Sequence, residues 1–215
     1  MAWLIDTRQV YGHVFNVYVS LGLAVFALFA LAIIGTAVWF RVRPRSRPSR
    51  RHEANRLEMA YAVVLACVAA GLLVVTFDAE HKDDVASAAE RPALTVDVTG
   101  ARWEWIFHYP RYGITEESGY VGDQPLVVPI DRAVRFRLRS VDVIHSFWIP
   151  QLRFKRDAIP GTVESVTLDF DRSGTFGGSC AEFCGLHHSE MVFTVDALKP
   201  RAFRSWLAGH RESAA

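Results

Sequence analysis

Ser179-Cys180-Ala181-Glu182-Phe183-Cys184-Gly185-Leu186-His187-His188-Ser189-Glu190-Met191 gathers two of the chain's three cysteines, an adjacent pair of histidines and one of its three methionines. Thiolate, imidazole and thioether form the donor set that soft and borderline transition metals prefer, copper above all. Calcium or magnesium would call for carboxylates and carbonyls instead. In a mononuclear blue-copper site, one Cys, one His and a weak Met follow each other on a single loop, and an earlier strand brings a second His. Cys184, His188 and Met191 fit such a loop, and His145, within Asp142-Val143-Ile144-His145-Ser146, is the natural earlier ligand. Cys180 is then surplus to one metal. Two thiolates within reach of each other can bridge a metal pair, so the economical reading is a dinuclear copper centre.

The pattern Cys180-x-Glu182-x-Cys184-Gly185-x-x-His188-x-x-Met191 resembles the CuA site of subunit II of the heme–copper (cytochrome c) oxidases. The resemblance extends over nearly the whole chain, including His145-Ser146-Phe147-Trp148 and Asp157-Ala158-Ile159-Pro160-Gly161. It implies that Cys180 and Cys184 bridge two coppers and that His145 and His188 are terminal ligands. It further implies Met191 as a weak ligand to one copper and the backbone carbonyl of Glu182 as a weak ligand to the other. Simpler readings compete. Two cysteines in a non-cytosolic domain commonly form a disulfide. Two Cys and two His can hold zinc, which leaves Met191 unused. His187 is read as facing solvent or a partner, and Cys67 as packing within an apolar helix.

Around this loop the composition divides the chain. Its 215 residues are 51% hydrophobic with a net charge of +1, so the overall balance names no nucleic-acid partner. From Val17 to Phe40 there is no charged residue, and about 20 apolar residues suffice to cross a bilayer as a helix. This stretch is longer than the apolar region of a signal peptide, about 7–15 residues. A basic run from Arg41 to Arg51 follows, then a second apolar segment from about Leu57 to Phe77, flanked by Asp78, Glu80, Asp83 and Asp84. The positive-inside bias places the basic run in the cytoplasm. Residues 1–91 are therefore expected to form a transmembrane helical hairpin ending in a polar connector, His81 to Arg91. Both termini are expected outside the cytoplasm of a bacterial or archaeal-type plasma membrane. Glu58 reads either as an interfacial carboxylate or, by the resemblance, as the start of a proton pathway into subunit I.

Residues 92–215 change period. Leu94, Val96 and Val98 alternate, as do Val134, Phe136 and Leu138, and Val163, Val166 and Leu168 mark another β-rich run. Gly, Pro and Asp punctuate these runs, which predicts an all-β sandwich or barrel of short antiparallel strands. With the copper loop, the resemblance implies a cupredoxin-like Greek-key barrel. Leu198 to His210 is expected to form a short amphipathic helix, with Phe203, Trp206 and Leu207 on one side.

Every candidate coordination position is filled by protein, whereas a catalytic metal keeps one open. The loop therefore argues for electron transfer. The resemblance implies an electron-transfer subunit taking electrons from cytochrome c or a small copper protein and passing them to the haems of subunit I. Trp103, in Trp103-Glu104-Trp105, matches the residue that accepts electrons in that family, while Trp105 and Phe107 read as core. The Glu182 side chain matches a magnesium ligand at the subunit I interface, and Asp157 a contact with that subunit. The CuA subunit of a nitric oxide reductase would share these features and differ in its partner. A quinol oxidase subunit would lack the ligands. A membrane-anchored copper chaperone or thiol–disulfide protein would show alternating helices and strands instead.

Overall fold

No proline interrupts the apolar run from Val17 to Phe40, and α1 runs unbroken over Thr7–Val42. The second apolar stretch lies in α2, Asn55–Ala89, which continues through most of the polar connector. The computed structural model describes residues 7–42, 55–89 and 91–213. Most of the basic run, at 43–51, lies outside these. Both helices are long and apolar enough to cross a membrane, over Tyr11–Val42 and Asn55–Lys82. They meet through a polar link, the Tyr18 hydroxyl lying 2.8 Å from Thr76 Oγ1. Cys67, read as packing, instead lies exposed on α2. The apolar surface of this helix faces outward along its length rather than into a core of the chain itself.

Beyond Pro92 ten strands form two five-stranded sheets. The first has the order β3 (Ile114–Gly119), β2 (Glu104–Tyr109), β1 (Leu94–Ala101), β5 (Val134–Ser140), β8 (Glu164–Leu168). The second has the order β4 (Leu126–Pro129), β10 (Val192–Leu198), β9 (Gly174–Cys180), β6 (His145–Ile149), β7 (Phe154–Ala158). Alternation decides which side of each strand turns inward. Leu94, Val96 and Val98 are buried against Val134, Phe136 and Leu138, while Arg137 pairs with Asp97 at 3.3 Å on the outer face. Val163 does not belong to this pattern. It is exposed, and β8 begins one residue later.

The sheets are not wholly antiparallel. β1 pairs parallel to β5, and β4 parallel to β10. A parallel neighbour requires a crossover rather than a hairpin, and strand periodicity carries no information about which strands will be joined that way. Between the sheets, Phe147 and Phe193 stack with centroids 4.5 Å apart, and Trp105 packs edge-on to both. α3, Pro200–Ser213, begins with a proline where the missing N–H costs nothing. It lays Phe203 and Trp206 over the domain, with Trp206 against Tyr109 at 5.2 Å.

Phe193 crosses directly over its cross-strand partner Gly178, where an added Cβ would sit 2.1 Å from the Phe193 ring. Rigid backbone on one side and a stacked ring on the other leave no room to adjust. Gly178→Ala should therefore destabilise the β domain by about 1–3 kcal/mol, the usual range for overpacking a core. Denaturant unfolding of the full chain, followed by near-ultraviolet circular dichroism, measures the loss. An unchanged midpoint would contradict this packing.

Candidate metal centre

β9 ends at Cys180, β10 starts at Val192, and the two strands pair antiparallel, with Val192 opposite Ser179. Their pairing closes the Cys180–Met191 loop at its base, where Cys180 N donates to Met191 O at 2.9 Å. β6 flanks β9 on the other side, Phe147 opposite Cys180, and thereby brings His145 to the loop. Within the loop, Gly185 takes a φ of +118°, which side chains other than glycine rarely adopt. A short 3-10 turn over His188–Glu190 then returns the chain to β10.

Five side chains and one carbonyl converge. The two sulfurs, Cys180 Sγ and Cys184 Sγ, lie 3.9 Å apart, and neither is bonded to another cysteine. His145 Nδ1 is 3.8 Å from Cys180 Sγ, and His188 Nδ1 is 3.5 Å from Cys184 Sγ. Met191 Sδ is 3.8 Å from Cys184 Sγ, and the Glu182 carbonyl oxygen is 3.3 Å from Cys180 Sγ. The donor atoms of His145, Cys180 and Cys184 all fall within 4.8 Å of one another, enough to hold a metal ion. His145, Cys180, Cys184 and Met191 are buried. Two thiols, two imidazoles, a thioether and a carbonyl fit copper better than any oxygen-seeking ion.

Elements outside the loop fix its parts. The far nitrogen of His145, Nε2, lies 2.9 Å from Asp142 Oδ1, which leaves Nδ1 turned to the sulfur. Asp142 also accepts from Val143 N at 2.6 Å and from Arg102 N at 2.8 Å. Burial works against this carboxylate, but His145 and the two backbone donors outweigh it and hold its pKa down at about 2. Behind His145 lies Gly100, where an added Cβ would stand 2.9 Å from the imidazole. Neither Asp142 nor Gly100 is marked by any motif. Asp142 stands three residues before a candidate ligand, and only the fold turns it back on the far side of the ring.

The two thiols differ sharply. Burial pushes Cys180 up, but the His145 contact, backbone hydrogen bonds at Glu182 and Ser146, and the His145 charge bring it down to about 7. Cys184 is pushed up to about 12, by burial first and then by the neighbouring Cys180 charge. For His145, burial opposes the charged form, yet Cys180 and Asp142 together raise its pKa.

Trp103 sits between β1 and β2, and its Nε1 donates to the Cys184 carbonyl at 3.2 Å, so it adjoins the cluster directly. Trp105 and Phe107 are buried, with Trp105 edge-on to His145 at 5.9 Å. Asp157 accepts from Ser146 Oγ at 2.6 Å, one residue along from His145. The Glu182 side chain is exposed, apart from the cluster its carbonyl joins. Glu58 lies exposed in the first turn of α2.

Residues 115–198 match the family model described as cytochrome c oxidase subunit II, periplasmic domain. The chain is 32% identical to cytochrome c oxidase subunit 2 of Branchiostoma floridae over 72% of each. It is 29% identical to cytochrome c oxidase subunit 2 of Alkalihalophilus pseudofirmus, covering 90% of this chain and 58% of that longer relative. Among solved structures, the periplasmic domain of subunit II of cytochrome oxidase of Bradyrhizobium japonicum superposes with a TM-score of 0.55 at 29% identity. That match spans 59% of this chain and 99% of the other. The architecture is thus the expected one, two long apolar helices followed by a cupredoxin-like β domain and a short C-terminal helix.

Two outcomes follow from the geometry. In the metal-free Cys67→Ser chain, which leaves two thiols, ultraviolet thiolate absorbance should rise in two separated steps, with Cys180 titrating near pH 7 and Cys184 only at strongly alkaline pH. Because copper binds the thiolate, its affinity should fall as pH drops through the Cys180 value. A single step near the ordinary thiol range would contradict the asymmetry. Gly100→Ala should displace His145 and weaken copper binding about 10- to 100-fold, the range seen when a ligand's support is lost. Competition against a chelator of known affinity measures that change.

Proposed function

The chain belongs to the cytochrome c oxidase subunit II family, and on that premise we propose that it is the electron-transfer subunit of a membrane-bound respiratory oxidase. Copper held as a pair at the Cys180–Met191 loop would supply a one-electron redox centre, accepting from cytochrome c or a small copper protein and donating to the haems of subunit I. The observation that carries this reading is the convergence of five soft and borderline donor atoms and one carbonyl oxygen from two strands and one loop.

In this reading Cys180 and Cys184 would be the thiolates shared by the copper pair, His145 and His188 would hold it through Nδ1, and Met191 and the Glu182 carbonyl would be its weak ligands. Asp142 fixes the tautomer and the direction of His145, which is how an outer hydrogen bond tunes a metal-binding imidazole. The loop, clamped at its base by β9 and β10, resists rearrangement when charge arrives. Trp103 receives the incoming electron beside the loop, its indole N–H held on the Cys184 carbonyl.

The remaining assignments concern the partners. The exposed Glu182 carboxylate would hold magnesium where the β domain meets subunit I, and Asp157 would contact the same subunit. Glu58 opens a proton pathway into it. α1 and α2 cross the plasma membrane with the basic run in the cytoplasm and the β domain on the extracytoplasmic face. Length and lack of charge support this for the helices.

Electron paramagnetic resonance of the oxidised, copper-loaded chain tests the centre. The expected signal is hyperfine structure from one unpaired electron shared equally by two coppers. Cys180→Ser should abolish that sharing while the β domain stays folded, and prolonged chelation should remove the signal. A signal from a single copper in the unaltered chain would demote Cys180 and overturn the dinuclear assignment.

A further inference from the structure

Arg102 is exposed and offers no ligand atom, yet its side chain reaches the carboxylate that supports His145. It occupies the two-residue turn Arg102-Trp103 between β1 and β2, where Ala101 pairs with Glu104. β1 and β5 run parallel, with Gly100 opposite Ser140. The turn after β1 and the segment after β5 therefore emerge at the same end of the sheet. Asp142 stands in that second segment. The parallel pairing thus sets an arginine from one turn against the carboxylate that backs a proposed copper ligand.

The contacts divide the carboxylate in two. Oδ1 accepts from Val143 N at 2.6 Å and lies 2.9 Å from His145 Nε2. Oδ2 accepts from Arg102 N at 2.8 Å and from Arg102 Nε at 3.3 Å. The two backbone N–H groups, one on each oxygen, already fix where the carboxylate sits. The guanidinium therefore adds charge rather than position. With the arginine side chain 49% exposed and the carboxylate 22%, the ion pair contributes little to stability. Its effect falls on the carboxylate, whose negative charge is shared between the two oxygens. A cation over Oδ2 draws charge away from Oδ1, and Oδ1 is the oxygen that faces the imidazole.

Resting on the electron-transfer reading above, we propose that Arg102 tunes the copper centre through Asp142, setting how strongly His145 donates to the metal. With the guanidinium in place, Oδ1 pulls less on the Nε2 proton and Nδ1 is a weaker donor. The reduced centre, which needs less donation, is then favoured. Without it the carboxylate pulls harder, the imidazole gains anionic character, and the oxidised centre is favoured. No proton is transferred in either state.

The test uses the full, copper-loaded chain equilibrated with a soluble redox mediator of known potential. Arg102→Met removes the guanidinium and keeps the backbone N–H. It should move the equilibrium about threefold toward the oxidised centre, the size of an exposed ion pair's coupling, with the shared-copper paramagnetic signal retained. In an Asp142→Asn background the same substitution should move it by less than about 1.3-fold, because the route through the carboxylate is gone. In the copper-free chain, the His145 Nε2 proton resonance should shift downfield in Arg102→Met, as its hydrogen bond to Oδ1 strengthens. An unchanged equilibrium in Arg102→Met overturns the proposal. So does an equal shift in the Asp142→Asn background, which marks a charge acting directly through space. Loss of the shared signal in Arg102→Met, which marks a structural side chain, overturns it too. Should Asp142→Asn fail to hold copper, the copper-free chain decides, and an unmoved Nε2 proton there sinks the proposal. An unaltered chain without a shared-copper signal would defeat the electron-transfer reading itself. An intact signal with an unchanged equilibrium in Arg102→Met defeats only the tuning role.

Discussion

The hydrogen bond from Cys180 N to Met191 O closes the loop whose donor atoms define this protein. It extends the β9–β10 ladder, in which Phe193 lies across the bare backbone of Gly178. Move either strand by one residue and every side chain on it changes face. Met191 would then leave the buried side on which it meets Cys184. The same register matters at β6, because the pairing of Phe147 with Cys180 fixes how far His145 reaches toward the sulfurs. Site geometry is thus a consequence of sheet register, and register is held by aromatic packing between the sheets.

Electrostatics complete what packing begins. Two thiols 3.9 Å apart cannot both lose a proton without mutual repulsion, and burial sharpens that conflict. The chain resolves it asymmetrically, with His145 next to Cys180 favouring one thiolate and Cys184 remaining protonated. Asp142 supports the imidazole from the opposite side, through a carboxylate anchored by two backbone N–H groups. A metal cation would remove the conflict by neutralising both sulfurs, so the cluster is more comfortable loaded than empty.

The converging donor residues were legible in the sequence because metal-binding chemistry demands particular residue types at close spacing. Cys180, Cys184, His188 and Met191 occupy one loop, and a short segment identified His145. Alternation likewise revealed β1 and β5, and the clustering of Trp105 and Phe107 revealed the core. What stayed hidden depends on distance through space. Asp142 reads as a turn residue until β6 is placed, and Gly100 reads as a strand blemish until the His145 ring is seen against it. Tyr120 and His187 are remote in sequence and meet only because β3 ends beside the loop. The parallel pairing of β1 with β5 was equally invisible, since periodicity names faces and not neighbours. Val163 misled for the simplest reason: an apolar residue at the mouth of a strand need not be inside.

The crossovers carry a consequence for how the protein is made. β4 finds its place beside β10, far along the chain, and the loop-bearing strand β9 lies between β10 and β6. Contacts between distant segments form slowly, because loop closure must be paid in entropy before it is rewarded. During synthesis His145 emerges well before Cys180, and nothing holds the two together until the second sheet has assembled. The full donor set is therefore a product of the finished fold: until the second sheet closes, the chain carries only the part of it that lies between Cys180 and Met191.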